Sequence, residues 1–383
     1  MREKMWILST FWNKRIISLK VCIILSLLTF HPVILLAADY RIDMFSPALE
    51  SNSFWKRMKL FSKAAADDLN IDLRFHFVDY DRNKNVDQVK TLLSSQDKTD
   101  GIIFQSLKKN GALLIQLAEK YQTPAILFNA GLDTKTKQSF GAPRQKYKYW
   151  LGELLPDDED AGYQLAIALI ERAKQLNLYH DDRKIHLFGI IGAYAEGGSF
   201  ERVRGFKRAV QSDPSIKYFQ HVQGYWSQER AKRKALGLFK RYPTTRVVWT
   251  ANDPMALGVI EAAEIVGKIP GKNLLVGGVD WTESGIQAIE EKKMVTSVGG
   301  HFMDGAWSLV LFFDYLNGQD FKTEKVSYKS KMKLINRKNL KQYRLLFRSE
   351  LWSQIDFKRF SKYYNPSIKT YDFSIGKVLA QLK

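Results

Sequence analysis

Cysteine is almost absent from this 383-residue chain, Cys22 being the only one. That excludes a fold stapled by disulfides and a cysteine-rich zinc site. The six histidines, at positions 31, 76, 180, 186, 221 and 301, show neither His-x-x-x-His nor Cys-His metal spacing. No Gly-x-Ser-x-Gly elbow and no Gly-x-x-x-x-Gly-Lys phosphate loop occurs, which removes the common serine-hydrolase and nucleotide-binding patterns. Gly192 to Gly198 brings glycines after an apolar run but not at dinucleotide spacing, so it reads as a flexible loop. Asp157, Asp158, Glu159 and Asp160 are adjacent rather than opposed, which suits charging a helix start better than paired-carboxylate hydrolysis. The chain thus presents no catalytic set and no cofactor pattern. Acidic residues are also scarce: 40 stand against 59 basic ones, a formal charge of +19.

What is present is apolar material, 45% hydrophobic and 13% aromatic, enough for substantial cores and against a disordered polycation. The location of the charge decides whether nucleic acid is a partner. Residues 1–37 hold five basic residues and one acidic (+4), and Lys322 to Lys383 hold sixteen and four (+12), which leaves only +3 between them. A near-neutral body does not read as a nucleic-acid-binding protein. Arg2, Lys4, Lys14, Arg15 and Lys20 precede the mostly apolar run from Val21, and small residues Ala37 and Ala38 follow it. That is the pattern of a cleavable secretory signal over residues 1–38, with His31 and Pro32 weakening the alternative of an uncleaved anchor. Beyond Ala38 no segment approaches the roughly 20 apolar residues of a membrane span. The mature chain is expected to be soluble and exported.

Short apolar runs then alternate with amphipathic ones, the signature of β-α-β units around parallel sheets. Strands are expected at Arg41–Phe45, Ile71–Val78, Gly101–Phe104 and Ala125–Phe128, then at Lys184–Ile191, Tyr218–Val222, Arg246–Thr250 and Leu274–Val279. Gly141, Pro143, Gly152 and Pro156 read as a break between two sheets. The fold class is therefore α/β, with two doubly wound parallel-sheet lobes. Ligands of such sheets bind beyond the carboxyl ends of the strands. There, Asn52 or Ser53 suits a helix N-cap, and adjacent Phe54 and Trp55 point about 100° apart, so one of them faces the cleft. Asp253, its carboxylate capping free amides, with Pro254 at the first helical position reads as a helix start and leaves Asn252 without a structural reason. Asp280, directly after an apolar strand, suits a cap or a ligand acceptor equally.

Asn252 to Gly258, Ile260 to Gly267, Val276 to Asp280, and the Arg-x-x-Gly-Phe pattern from Arg202 to Phe206 together resemble the periplasmic sugar-binding proteins of the ribose and galactose type. The resemblance runs from about Tyr40 to Lys325. It implies the type I periplasmic binding protein fold, two lobes joined by a hinge, with a sugar held between them. Carried over by residue, it makes Asn52 a polar contact and Phe54 and Trp55 the stacking pair of the first lobe. Trp226 becomes the aromatic on the other sugar face, and Arg202, Asn252 and Asp280 bind hydroxyls. Asn129 and Ala130 stand where relatives carry an Asp-Arg pair, and Gly300, beside His301, stands where they have a hinge Gln. His301 can supply the missing polar group or be an ordinary hinge histidine.

The resemblance places the lobe crossings near Glu153, Phe302 and Glu324, giving residues 39–153 with 302–325 as one lobe and 154–301 with 326–383 as the other. It implies delivery of a small sugar to an inner-membrane ABC permease or, as an alternative, presentation of a ligand-bound state to a membrane sensor kinase or cyclase. Beyond about Lys333 it fades. The basic, aromatic tail is expected as a solvated helix on the second lobe or as a docking surface for anionic headgroups or an acidic partner. Truncation after Leu334 is then expected to preserve sugar binding.

Overall fold

The chain's β-α-β rhythm produces two sheets in succession. A computed structural model describes residues 38–194 and 196–382, so the expected export segment, apart from Ala38, lies outside the described residues. The first lobe runs β1 (Tyr40–Ser46), α1 (Ser53–Asp68), β2 (Ile71–Phe77), α2 (Arg82–Ser94), β3 (Gly101–Phe104), α3 (Gly111–Lys120), β4 (Ala125–Phe128), α4 (Thr134–Phe140) and β5 (Trp150–Pro156). The second runs α5 (Asp158–Gln175), β6 (Ile185–Ile191), α6 (Gly197–Gln211), β7 (Ile216–Gln223), α7 (Gln228–Arg241), β8 (Val247–Thr250), α8 (Asp253–Ile265), β9 (Leu275–Val279), α9 (Glu283–Glu290) and β10 (Thr296–Gly299). The chain then returns through α10 (Asp304–Leu316) and β11 (Ser327–Ser330) to β12 (Lys333–Asn336), and ends with short helices α11 (Leu340–Tyr343) and α12 (Ile375–Leu379).

Strand order is β11-β5-β4-β3-β1-β2 in one sheet and β12-β10-β9-β8-β6-β7 in the other. All neighbours pair in parallel except β10 and β12. Such sheets need helices on both faces. In the first lobe, α1 brings Phe54, Met58, Phe61 and Ala65 onto one side, where it packs against α10. Val89, Leu93, Leu114 and Ile115 cover the other.

Sheet membership revises the expected boundaries. Trp150–Pro156 is a buried strand, and it keeps the chain in the first lobe through Pro156. β11 pairs with β5, so residues 327–330 also belong to the first sheet, not to the second lobe as the resemblance implied. The chain therefore crosses between sheets at Asp157, at Gly300 and between β11 and β12.

The tail is not a solvated helix on the second lobe. Tyr343 and Phe347 lie against Trp281 of the second lobe, after which the chain crosses the hinge. Trp352 stacks on Phe302 at 5.7 Å, and Phe357 and Phe360 reach Phe61 and Trp307 of the first lobe. Asp314 on α10 accepts hydrogen bonds from the Ser361 hydroxyl, the Tyr371 hydroxyl (2.7 Å) and the Lys362 amide (2.6 Å). Leu346, Trp352, Phe357, Phe360 and Val378 of the tail are buried, whereas Tyr363 and Tyr364 are exposed, a pattern without a regular helical period. Among the described residues no helix is long and apolar enough to cross a membrane.

Candidate functional site

Both sheets point their carboxyl ends at one cavity of about 80 Å³. Each of the ten strands from β1 to β10 delivers a lining residue from the segment that follows it. From the first lobe come Asn52, Phe54 and Trp55 after β1, Tyr80 after β2, Gln105 after β3 and Asn129 after β4. Asp158 follows β5, Glu196 follows β6, and Trp226, Asn252, Asp280 and His301 follow β7 to β10, with Arg202 added from α6. All nine residues singled out in the sequence line this cavity.

Local chemistry explains their positions. Asn52 is the N-cap of α1, its Oδ1 accepting from the amides of Phe54 (3.1 Å) and Trp55 (3.2 Å). Phe54 and Trp55 meet edge to face at 5.3 Å, and both line the cavity, where the sequence argument assigned only one of them to it. Asn252 caps α8 through the Met255 amide (3.0 Å). The expected capping role of Asp253 is therefore corrected. Its carboxylate instead accepts from the Thr282 amide (2.8 Å) and the Ser297 hydroxyl (2.7 Å), tying together the segments after β8 and β9 and strand β10. Burial, with Asp280 nearby, pushes its pKa up to about 8.

Arg202 is the electrostatic centre. It reaches the cavity because α5 and α6 cross closely: a Cβ on Gly205 would lie 1.8 Å from the Glu159 carbonyl, and one on Gly162 would lie 2.0 Å from the Arg202 carbonyl. Its Nε donates to Asp158 Oδ1 (2.6 Å), Nη1 to the Ala251 carbonyl (2.6 Å) and to Asp280 Oδ1 (3.3 Å), and Nη2 to His301 Nε2 (3.2 Å). Burial alone would depress the Arg202 pKa; Asp158 and Asp280 reverse this and raise it. The same burial lifts the Asp158 carboxyl against the pull of Arg202. A guanidinium only donates, so His301 Nε2 must accept and Nδ1 carries the proton. That N–H is buried and has no partner among the described residues. Asp280 itself sits at φ +114, in the left-handed region of backbone conformation, and its amide donates a hydrogen bond to the Val298 carbonyl (2.8 Å).

Trp226, at φ +61, closes the cavity from the second lobe. Its ring lies 5.7 Å from the Arg202 guanidinium and its Nε1 donates to Glu196. A Cβ on Gly192 would fall 2.1 Å from that ring, so this glycine makes room for it. Burial raises both the Glu196 carboxyl and the Tyr80 phenol. Asn129 Nδ2 donates to Gln105 Oε1 (2.7 Å). Tyr80, Gln105, Asp158 and Glu196 escaped the sequence reading. Their signal was positional: each follows a strand, the place where the same reading found the others.

Buried acids, a paired arginine and aromatics on two lobes make a cavity that can hydrogen-bond and stack. A family model described as the periplasmic binding protein domain matches residues 43–320. The chain is 32% identical over 127 residues to the D-allose-binding periplasmic protein of Escherichia coli strain K12, and 28% identical over 99 residues to the galactofuranose-binding protein YtfQ of the same strain. These matches cover 33% and 25% of the chain and span only 40% and 30% of those relatives. A periplasmic sugar-binding protein from Pseudomonas fluorescens superposes with a TM-score of 0.80 at 28% identity, over 89% of this chain and 99% of that one. The chain belongs to the periplasmic binding protein family and has its two-lobed type I fold.

Proposed function

We propose that this protein is an exported, periplasmic solute receptor that captures a sugar or sugar-like ligand between its lobes and delivers it to an ABC importer in the inner membrane. The observation that carries this reading is the convergence of Phe54 and Trp55 from one lobe and Trp226 from the other on a cavity walled by Arg202, Asp280, Asn252 and His301. A sugar offers C–H faces to aromatics and hydroxyls to planar charged groups. Asp280 and Asn129 accept from hydroxyls, while Arg202 and the free His301 Nδ1–H donate to them. Closure about the crossings at Asp157, Gly300 and between β11 and β12 expels water and strengthens each of these bonds. The sugar-binding names of its relatives support the ligand class.

The test is a thermal-shift and calorimetric panel of pentoses, hexoses, polyols and disaccharides on the mature protein. At least one ligand raises the Tm with increasing concentration, and Asp280→Asn weakens that ligand by about tenfold or more. A panel without any shift, or an Asp280→Asn protein with undiminished affinity, overturns the reading.

A further inference from the structure

At the amino ends of the second sheet's strands, away from the cavity, lies a cluster that sugar capture does not use. His180 and Asp182 stand on the turn before β6, and His186 is the second residue of that strand. The turn is tight. The His180 amide donates to the Lys184 carbonyl (2.9 Å) and the Arg183 amide to the His180 carbonyl (2.8 Å), with Arg183 at φ +55. Folding back in this way stacks the His180 ring on that of His186, their centroids 4.8 Å apart and their planes 24° from parallel. The result is a His-x-Asp-x-x-x-His set joined by a turn, a spacing unlike the helical His-x-x-x-His pattern sought in the chain.

Each of the three side chains offers a ligand atom, and these atoms lie within 4.8 Å of one another. His186 Nε2 is 3.0 Å from both Asp182 oxygens. Bonds of about 2.0–2.1 Å to a tetrahedral zinc ion place its ligand atoms about 3.3 Å apart. The His186–Asp182 pair is therefore close to the required spacing already. His180, half-buried and without a side-chain hydrogen bond among the described residues, has to swing in by roughly 1.5 Å at most.

The surroundings orient the set in the way that outer contacts orient metal ligands. The Thr244 hydroxyl lies 2.6 Å from His186 Nδ1, so Nε2 is the nitrogen turned to the carboxylate, and Phe219 meets the same ring edge to face at 5.2 Å. Asp182 Oδ1 accepts from the Lys184 amide (3.2 Å) and Oδ2 from Lys217 Nζ (2.9 Å). His186 is only 3% exposed, whereas Asp182 is exposed and leaves an entry from solvent. A metal ion takes the place of the proton shared by an imidazole nitrogen and a carboxylate. Two imidazoles with one carboxylate suit zinc; calcium and magnesium seek oxygen ligands.

We propose that His180, Asp182 and His186 form a zinc site, with water in the fourth position, and that the bound ion pins the turn before β6 to its strand. The site is independent of the sugar-capture reading.

The experiment is isothermal titration of the untagged, EDTA-treated mature protein with ZnCl2, and with CaCl2 as the oxygen-seeking control, alongside melting curves. The expected result is one zinc per chain, a Tm that rises with zinc concentration and no calcium binding. His180→Ala and Asp182→Asn, both on the turn, are expected to keep a cooperative melt without metal and to weaken zinc binding at least tenfold each. Cobalt(II) in place of zinc is expected to give the visible absorption of a tetrahedral site in the parent and not in His180→Ala. Zinc that fails to bind at micromolar concentrations, an affinity that neither substitution lowers, or calcium that binds as tightly as zinc overturns the proposal.

Discussion

Replacing Arg57 by Met should loosen the junction of the two lobes and the tail. Arg57 lies on α1, two residues beyond Trp55, and is 7% exposed. Its Nη1 donates to the Trp281 carbonyl of the second lobe and its Nη2 to the Leu346 carbonyl of the tail, the latter at 2.8 Å. Phe302 and Phe347 cover the guanidinium at 4.2 and 4.5 Å. No carboxylate forms an ion pair with it among the described residues, and burial draws its pKa down to about 10, which still leaves it charged at neutral pH. Hydrogen bonds from a charged donor contribute about 1.5–3 kcal/mol each, and a buried carbonyl left without a donor costs about 1–3 kcal/mol. The guanidinium's own desolvation, relieved in the variant, offsets part of this. Met keeps the packing of the stem against the aromatics. The net loss is about 3 kcal/mol, which at roughly 1.5–2 °C per kcal/mol for a chain of this length is a Tm lower by roughly 4–6 °C. Calorimetry of the unliganded protein measures it. Arg57→Lys should fall between the two, because an ammonium lacks the planar fork that reaches both carbonyls. A Tm of Arg57→Met within about 1 °C of the parent would refute the argument that this residue joins the three segments.

Arg202→Met leaves Asp158 and Asp280 buried without their cation and should cost about 3–5 kcal/mol, measured by urea unfolding. Adding Asp158→Asn should recover part of that loss, and a double variant no more stable than the single one would contradict the pairing. Truncation after Leu334, expected from sequence to leave sugar binding intact, should instead expose Phe61, Phe302 and Trp307 and interrupt β12, giving an aggregating or dye-binding protein in light-scattering and fluorescence assays. A monomeric, cooperatively melting truncation product would show that the tail is dispensable. Asp253 binds its proton more tightly in the folded state than its ordinary value of 3.8. Its contribution to stability is therefore full at low pH and declines as pH rises from about 4 to about 8. Melting curves across that range should fall less steeply for Asp253→Asn, which retains an acceptor for the Thr282 amide. Identical slopes would remove Asp253 as a source of the pH dependence; Asp158 and Asp304, also raised by burial, supply the remainder.

Strands with apolar runs were legible in the chain because a strand buried on both faces leaves a continuous hydrophobic stretch, as in Ile185–Ile191. Four strands were not. Trp150–Pro156 carries Gly152 and Pro156, which read as chain breaks but lie here in a buried strand of the first sheet. β10 is Thr-Ser-Val-Gly, and β11 and β12 are four-residue strands that each combine one lysine with one buried residue, Tyr328 or Ile335, so they looked like parts of a charged tail. Lysines on such strands protect a sheet edge.

The sequence alone determined the α/β class, the two sheets and the segments beyond β1, β8 and β9 where a ligand would be met, because hydrophobic period and local caps are short-range properties; the segments beyond β4 and β7 were named only by the family resemblance. Tertiary structure decided the rest. Asp158 became an arginine partner only when α5 and α6 crossed at Gly162 and Gly205. Glu196 became a cavity residue only when Trp226 reached it. The tail became a clasp on the hinge because its aromatics, irregularly spaced along the chain, meet Phe61, Trp307 and Phe302 in space. Contacts made across 30 residues, as between Glu196 and Trp226, or across 291, as between Phe61 and Trp352, leave no periodic trace in the chain, since the partner that gives each side chain its role lies outside its own helix or strand.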